Sequence, residues 1–99
     1  MKVIYGKRQS GKTTKLIKLS AKKWYYIVCS TKQECTRIAL SARQLGLDIP
    51  FPITFHEFIN GQFNYGGGIK GFLIDRADYL LQTLAREVPI EAISIDKGD

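Results

Sequence analysis

Gly6-Lys7-Arg8-Gln9-Ser10-Gly11-Lys12-Thr13 is the stretch from which the remainder of the chain can be parsed. It fits the pattern G-x-x-x-x-G-K-[ST] at every fixed position. Ahead of it, Lys2-Val3-Ile4-Tyr5 is a short apolar run suited to a buried strand entering a turn. Behind it, Leu16, Ile17 and Leu19 form an apolar side while Lys15, Lys18 and Lys22 form a basic stripe, which predicts a helix from Lys12 to about Lys22. Strand, glycine loop and helix in that order are what phosphate binding requires. The glycines let the backbone curl so that successive N–H groups point at phosphate oxygens, and the helix N-terminus adds its dipole. Lys12 then reaches the β- and γ-phosphates and the Thr13 hydroxyl coordinates Mg²⁺. The predicted phosphate-binding set is Gly6, Lys7, Arg8, Gln9, Ser10, Gly11, Lys12, Thr13 and Thr14.

Outward from this loop the chain alternates short apolar runs with helical patterns, without repeats or low-complexity linkers. Trp24-Tyr25-Tyr26-Ile27-Val28-Cys29 is aromatic and β-branched and reads as a core strand. Thr31 and Glu34 have capping-box spacing and open a helix with Cys35, Ile38, Ala39, Ala42 and Leu45 on one face, ended by Gly46. Ile53-Thr54-Phe55 predicts a brief strand, and Thr54 with Glu57 predicts a second capped helix near residues 56–60. Residues 61–71 are glycine-rich and predict a surface loop. Phe72-Leu73-Ile74-Asp75 has the form of a strand buried on both faces. Ala77, Leu80, Leu81, Leu84 and Val88 give a helix stopped near Pro89, and residues 90–95 give a last strand with Asp96 at its end. The alternation argues for a mainly parallel, roughly five-stranded sheet in a three-layer α/β sandwich.

Size and composition set bounds. A chain of 99 residues is one domain spanning residues 1–99, 44% hydrophobic and 24% charged, ordinary for a soluble globular protein. No apolar run approaches the length of a membrane span, and no secretory leader is expected at the start. Two cysteines, Cys29 and Cys35, exclude a disulfide framework or a four-cysteine zinc site, and the expected setting is the reducing cytoplasm. Net charge is +6, and no acidic residue precedes Glu34, whereas Lys2, Lys7, Arg8, Lys12, Lys15, Lys18, Lys22, Lys23 and Lys32 do. A one-sided field of this kind attracts polyanions, so nucleic acid is a candidate partner of the basic N-terminal third.

The glycine-lysine loop and the apolar strand ending in Asp75 together resemble the two signatures of P-loop NTPases. Asp75-Arg76-Ala77-Asp78 differs at one position from the Asp-Glu-Ala-Asp box of helicase-like ATPases. Ile53-Thr54-Phe55-His56-Glu57-Phe58 is similar to the Thr-Phe-His segment of superfamily 1 helicases, and Val28-Cys29-Ser30-Thr31 to that family's first DNA-contacting segment. The resemblance implies a RecA-like ATP-binding half-domain, truncated at its C-terminus, that takes ATP or ADP with Mg²⁺. Thr13 and Asp75 would hold the metal, Lys12 and Asp75 would be catalytic, and Asp96 would sense the γ-phosphate.

The position after Asp75 departs from the family: Arg76 stands where a water-activating glutamate is usual. Arginine cannot accept a proton at neutral pH, which leaves Glu57 as the candidate substitute base. Arg8, Arg76 or Arg86 is available to a neighbouring subunit, and a protein partner or homo-oligomer is expected to complete the site. Two functions follow: a weak ATPase in nucleic-acid transactions, or an adaptor that binds nucleotide and works through protein partners. Ser10-Gly11-Lys12-Thr13-Thr14-Lys15-Leu16 also resembles the thymidine kinase loop, but 99 residues leave little room for a lid and a second substrate pocket.

Overall fold

The computed structural model describes residues 3–4, 11–64 and 68–96. Within them the chain forms α1 (Lys12–Lys23), β1 (Tyr26–Cys29), α2 (Lys32–Gln44), β2 (Ile53–Thr54), α3 (Phe55–Ile59), β3 (Phe72–Ile74) and α4 (Ala77–Ala85). The three strands make one parallel sheet in the order β2-β1-β3. Val28 is in register with Ile53 on one side and with Ile74 on the other.

The central strand organises the core through its two-residue period. Ile27 and Cys29 face one side, where they join Leu16 and Ile17 of α1 and Cys35, Ile38 and Ala42 of α2. Tyr26 and Val28 face the other side, with Phe55 and Phe58 of α3, Leu80 of α4, and Phe63. The connection from β1 to β2 runs through α2, and the return across β1 to β3 runs through α3. These helices belong to opposite faces, as right-handed crossovers in opposite directions require. The architecture is therefore α/β with helices on both sides of a parallel sheet.

Several local devices act as the sequence predicts. In α1 the positions facing the core are Leu16, Ile17 and Ser20, and the Ser20 hydroxyl donates to the Tyr25 carbonyl at 2.6 Å. The Gly46 N–H bonds the Arg43 carbonyl at 3.0 Å and the Leu47 N–H bonds the Ala42 carbonyl at 2.9 Å, with Gly46 at φ 71. This is a Schellman ending, which needs a residue that tolerates positive φ. Thr54 and Glu57 complete a reciprocal capping box at the start of α3. The box at α2 is only half formed. The Thr31 hydroxyl accepts the Glu34 N–H at 3.1 Å, while the Glu34 carboxylate turns to Arg37 instead.

Other expectations need correction. The sheet has three strands among the described residues, not five. Of the first predicted strand only Val3 and Ile4 are described, and neither is in a strand; Lys2 and Tyr5 lie outside the described residues. Residues 90–95 form no strand. The Gln82 side chain explains this: its amide donates to the carbonyls of Arg86 and Val88, and its oxygen accepts the Ile90 N–H at 2.9 Å. The chain is thereby tied back onto α4, with Ile93 56% and Ile95 43% exposed. α4 itself stops at Ala85, before Val88, because Arg86 takes φ 62. Nor is β3 buried on both faces: it is a margin of the sheet, with Phe72 exposed and Leu73 and Ile74 half-buried.

Candidate functional site

α1 leads from Lys23 into the start of β1 and packs along it, so it runs antiparallel to the strand. Its N-terminus therefore lies toward the end of the sheet where β1, β2 and β3 finish. Because β1 has its next strand on one side and the one after on the other, a crevice opens beyond the carboxyl ends of β1 and β3, the usual ligand position in such sheets. Asp75 follows β3 directly, and its N–H donates to the Val28 carbonyl of β1 at 2.9 Å. That bond ties the carboxylate's backbone to the central strand at the crevice.

α1 opens on Gly11 at φ 85, a left-handed conformation that glycine adopts without strain. The Gly11 carbonyl accepts the first bond of the helix, from the Lys15 N–H at 3.1 Å. First-turn amides such as those of Thr13 and Thr14 have no carbonyl four residues back within a helix, and this first turn contains no acidic side chain. Both omissions suit an external anion at this end of α1.

The structure brings Lys12 and Asp75 into each other's electrostatic field. Burial raises the Asp75 carboxyl above the ordinary aspartate range, and the nearby Glu34 carboxylate adds to the rise. Lys12, Arg76 and Arg37 pull the other way. Thr13 is half-buried in the first turn and Thr14 is exposed. Gly6, Lys7, Arg8, Gln9 and Ser10 of the loop lie outside the described residues.

Glu57 stands on the β2 side of the crest, already engaged. Its carboxylate accepts the Thr54 N–H at 2.9 Å and pairs with Lys32 at 3.5 Å. The backbone bond from Thr54 holds its carboxyl below the usual glutamate range, which weakens it as a proton acceptor. Asp96 lies in the exposed segment beyond α4, outside the sheet. Arg76 is the N-cap of α4 at φ 62, with its guanidinium 5.3 Å from the centre of the Tyr79 ring and 3.9 Å from Asp78. A left-handed arginine costs about 1–2 kcal/mol relative to its preferred backbone.

Sequence reading missed Glu34 and Arg37 as neighbours of Asp75. They are joined by two hydrogen bonds, at 2.6 and 3.3 Å. The only signal was the helical spacing of Glu34 and Arg37, which says nothing about what lies across the sheet. Beneath the crest, Cys29 and Cys35 are free buried thiols with sulfurs 3.1 Å apart, and burial pushes both up from the ordinary thiol range.

Among the described residues there is no cluster of three or more histidine, cysteine or carboxylate side chains able to cage a metal ion. The donors present, the Thr13 hydroxyl and the Asp75 carboxylate, are hard oxygens. Such a sparse set fits Mg²⁺, which keeps its waters and draws further ligands from substrate phosphates.

The raised Asp75 carboxyl has a consequence for stability. The folded chain binds this proton more tightly than the unfolded chain does, so ionisation weighs against folding above the folded-state pKa and that penalty fades as pH falls through it. Asp75→Asn is therefore expected to raise the melting temperature of the ligand-free protein near neutral pH, with the gain shrinking in acid. Thermal melts of both proteins across the acid-to-neutral range check this. A variant less stable than wild type at neutral pH would contradict the burial argument.

No family model, curated protein or solved structure matches the chain.

Proposed function

We propose that the chain is a small P-loop nucleotide-binding protein that takes ATP with Mg²⁺ at the crevice beyond β1 and β3 and turns it over slowly at most. The observation that carries this reading is the meeting of Lys12, on a helix opened by a left-handed glycine, with Asp75 at the end of a parallel strand. In this arrangement Lys12 and the first-turn amides hold the phosphates. The Thr13 hydroxyl and Asp75 carboxylate hold the Mg²⁺, which neutralises phosphate charge when bound. ATP is preferred to GTP because no Asn-Lys-x-Asp guanine motif occurs in the sequence. The basic N-terminal third draws nucleic acid, and a protein partner or second copy supplies what Arg76 does not.

A second reading, an adaptor for which bound ATP or ADP is a stabilising ligand, is favoured by two observations. Arg76 cannot activate water, and Glu57 is committed to its cap and to Lys32. Titration calorimetry with ATP, with and without Mg²⁺, tests both readings alongside phosphate release. The expected result is Mg²⁺-dependent binding, weaker for GTP, with slow release. Ligand at 100 times its Kd should also add about 2.7 kcal/mol of stability. Absence of binding would overturn both readings, and rapid turnover would overturn the adaptor.

A further inference from the structure

The opposite end of the sheet carries an aromatic groove that nucleotide binding leaves unused. Trp24 caps α1 at φ 59, its N–H bonding the Ser20 carbonyl at 2.8 Å. Glycine or asparagine would make the same cap with less strain, so the indole itself is what this position retains. The sequence reading placed Trp24 in the core. It is instead half-buried on the wall of an open groove of about 390 Å³, with Phe51, Phe63 and Ile69 on the other walls. Phe51 is 60% exposed and flanked by Pro50 and Pro52, which also line the groove.

The charge around this groove is mostly positive. Lys22 and Lys23 end α1 immediately before Trp24, both exposed. The Lys70 N–H bonds the Trp24 carbonyl at 3.4 Å, which sets Lys70 beside Ile69 on the rim. Lys15 and Lys18 continue the stripe along α1, and among the described residues none of Lys15, Lys18, Lys22 and Lys23 is ion-paired. Two carboxylates are close: Glu57, which lines the groove and pairs with Lys32, and the exposed Asp48 just before the Ile49-Pro50 turn.

We propose that this groove binds single-stranded nucleic acid, with bases stacked on Trp24 and Phe51 and the backbone running along Lys22, Lys23 and Lys70. Flat exposed aromatic faces beside lysines match unstacked bases on a phosphate chain, whereas a duplex hides its base faces. An open groove suits a polymer that passes through it. The inference rests on the nucleic-acid part of the functional reading and not on the nucleotide site.

Trp24 is the only tryptophan, so its fluorescence reports the groove directly. The experiment titrates the full chain with oligothymidylate, without nucleotide or Mg²⁺, at several salt concentrations. Saturable quenching that weakens with salt is expected. Phe51→Ala, at an exposed position, should weaken binding on the order of tenfold. Lys22→Ala with Lys23→Ala should lower the salt slope by about one. Binding indifferent to both variants, or equally tight for a duplex, would overturn the groove while leaving nucleic-acid binding elsewhere in place. Failure to bind any oligonucleotide would overturn both, as would quenching by a proline-rich or acidic peptide alone. Neither result touches ATP binding, which is measured separately.

Discussion

Lys12→Ala is expected to weaken ATP binding by roughly 10- to 100-fold, the loss associated with removing a charged hydrogen-bond donor from a phosphate. The same change should barely alter the stability of the free protein. A cation in the first turn opposes the helix dipole, so its removal favours α1 by a few tenths of a kcal/mol, about 0.3–1 at most. Against this, Lys12 is one of the cations that draw Asp75 toward its ionised form, and without it the carboxyl rises further. The two effects oppose each other, and the expected result is lost binding with a nearly unchanged melting curve. Calorimetry and circular-dichroism melts on the same preparation separate them. Affinity within twofold of wild type would sink the assignment of Lys12 to the phosphates.

Ile27→Ala is the substitution with the largest expected cost to the fold. Ile27 has no exposed surface, sits in the middle strand of the sheet, and packs on the side of α1 and α2. Truncation removes buried methyl groups and leaves a cavity that helices on a sheet cannot easily close, which costs about 2–5 kcal/mol. Against a total of roughly 5–15 kcal/mol for a domain of this kind, that is a large share. Urea denaturation gives the difference directly. Ile93→Ala, at a position 56% exposed, serves as the comparison and should stay within about 0.5 kcal/mol. Equal effects at the two sites would mean that the core is not centred on β1.

These two residues also mark where sequence reading succeeds. The β1 alternation, the α1 lysine stripe, the Gly46 ending and the Thr54–Glu57 box are local patterns, decided within a few residues, and the structure contains each of them. The candidate site was legible to the same extent: Gly11, Lys12, Thr13 and the strand before Asp75 follow from spacing alone. What lies across space was not. Residues 90–95 look like a strand by composition, but a strand exists only if a neighbour takes its hydrogen bonds, and here Gln82 takes those just before it. The apolar pattern of α4 likewise predicted a buried face, yet only Leu80 is buried, since the sheet beneath it is narrow. Glu34 reads as a partner of Thr31 in sequence, and only the approach of Arg37 redirects it. Trp24 reads as core because aromatic runs usually are, and the left-handed turn that lifts it out has no signature in composition.

The two sides of the crevice stand on unequal footing. Every side chain buried to below 2% exposure belongs to α1, β1 or α2: Ile17, Ser20, Ile27, Val28, Cys29, Cys35 and Ile38. β3 and α4 contribute none. Sub-global opening therefore begins at the β3–α4 flank, at a smaller free energy than is needed to release the β1 unit. Lys12 belongs to the tenacious part and Asp75 to the yielding one. A ligand held between them acts as a clasp, and the amides it slows most are those of the flank it recruits rather than those of the helix that receives it.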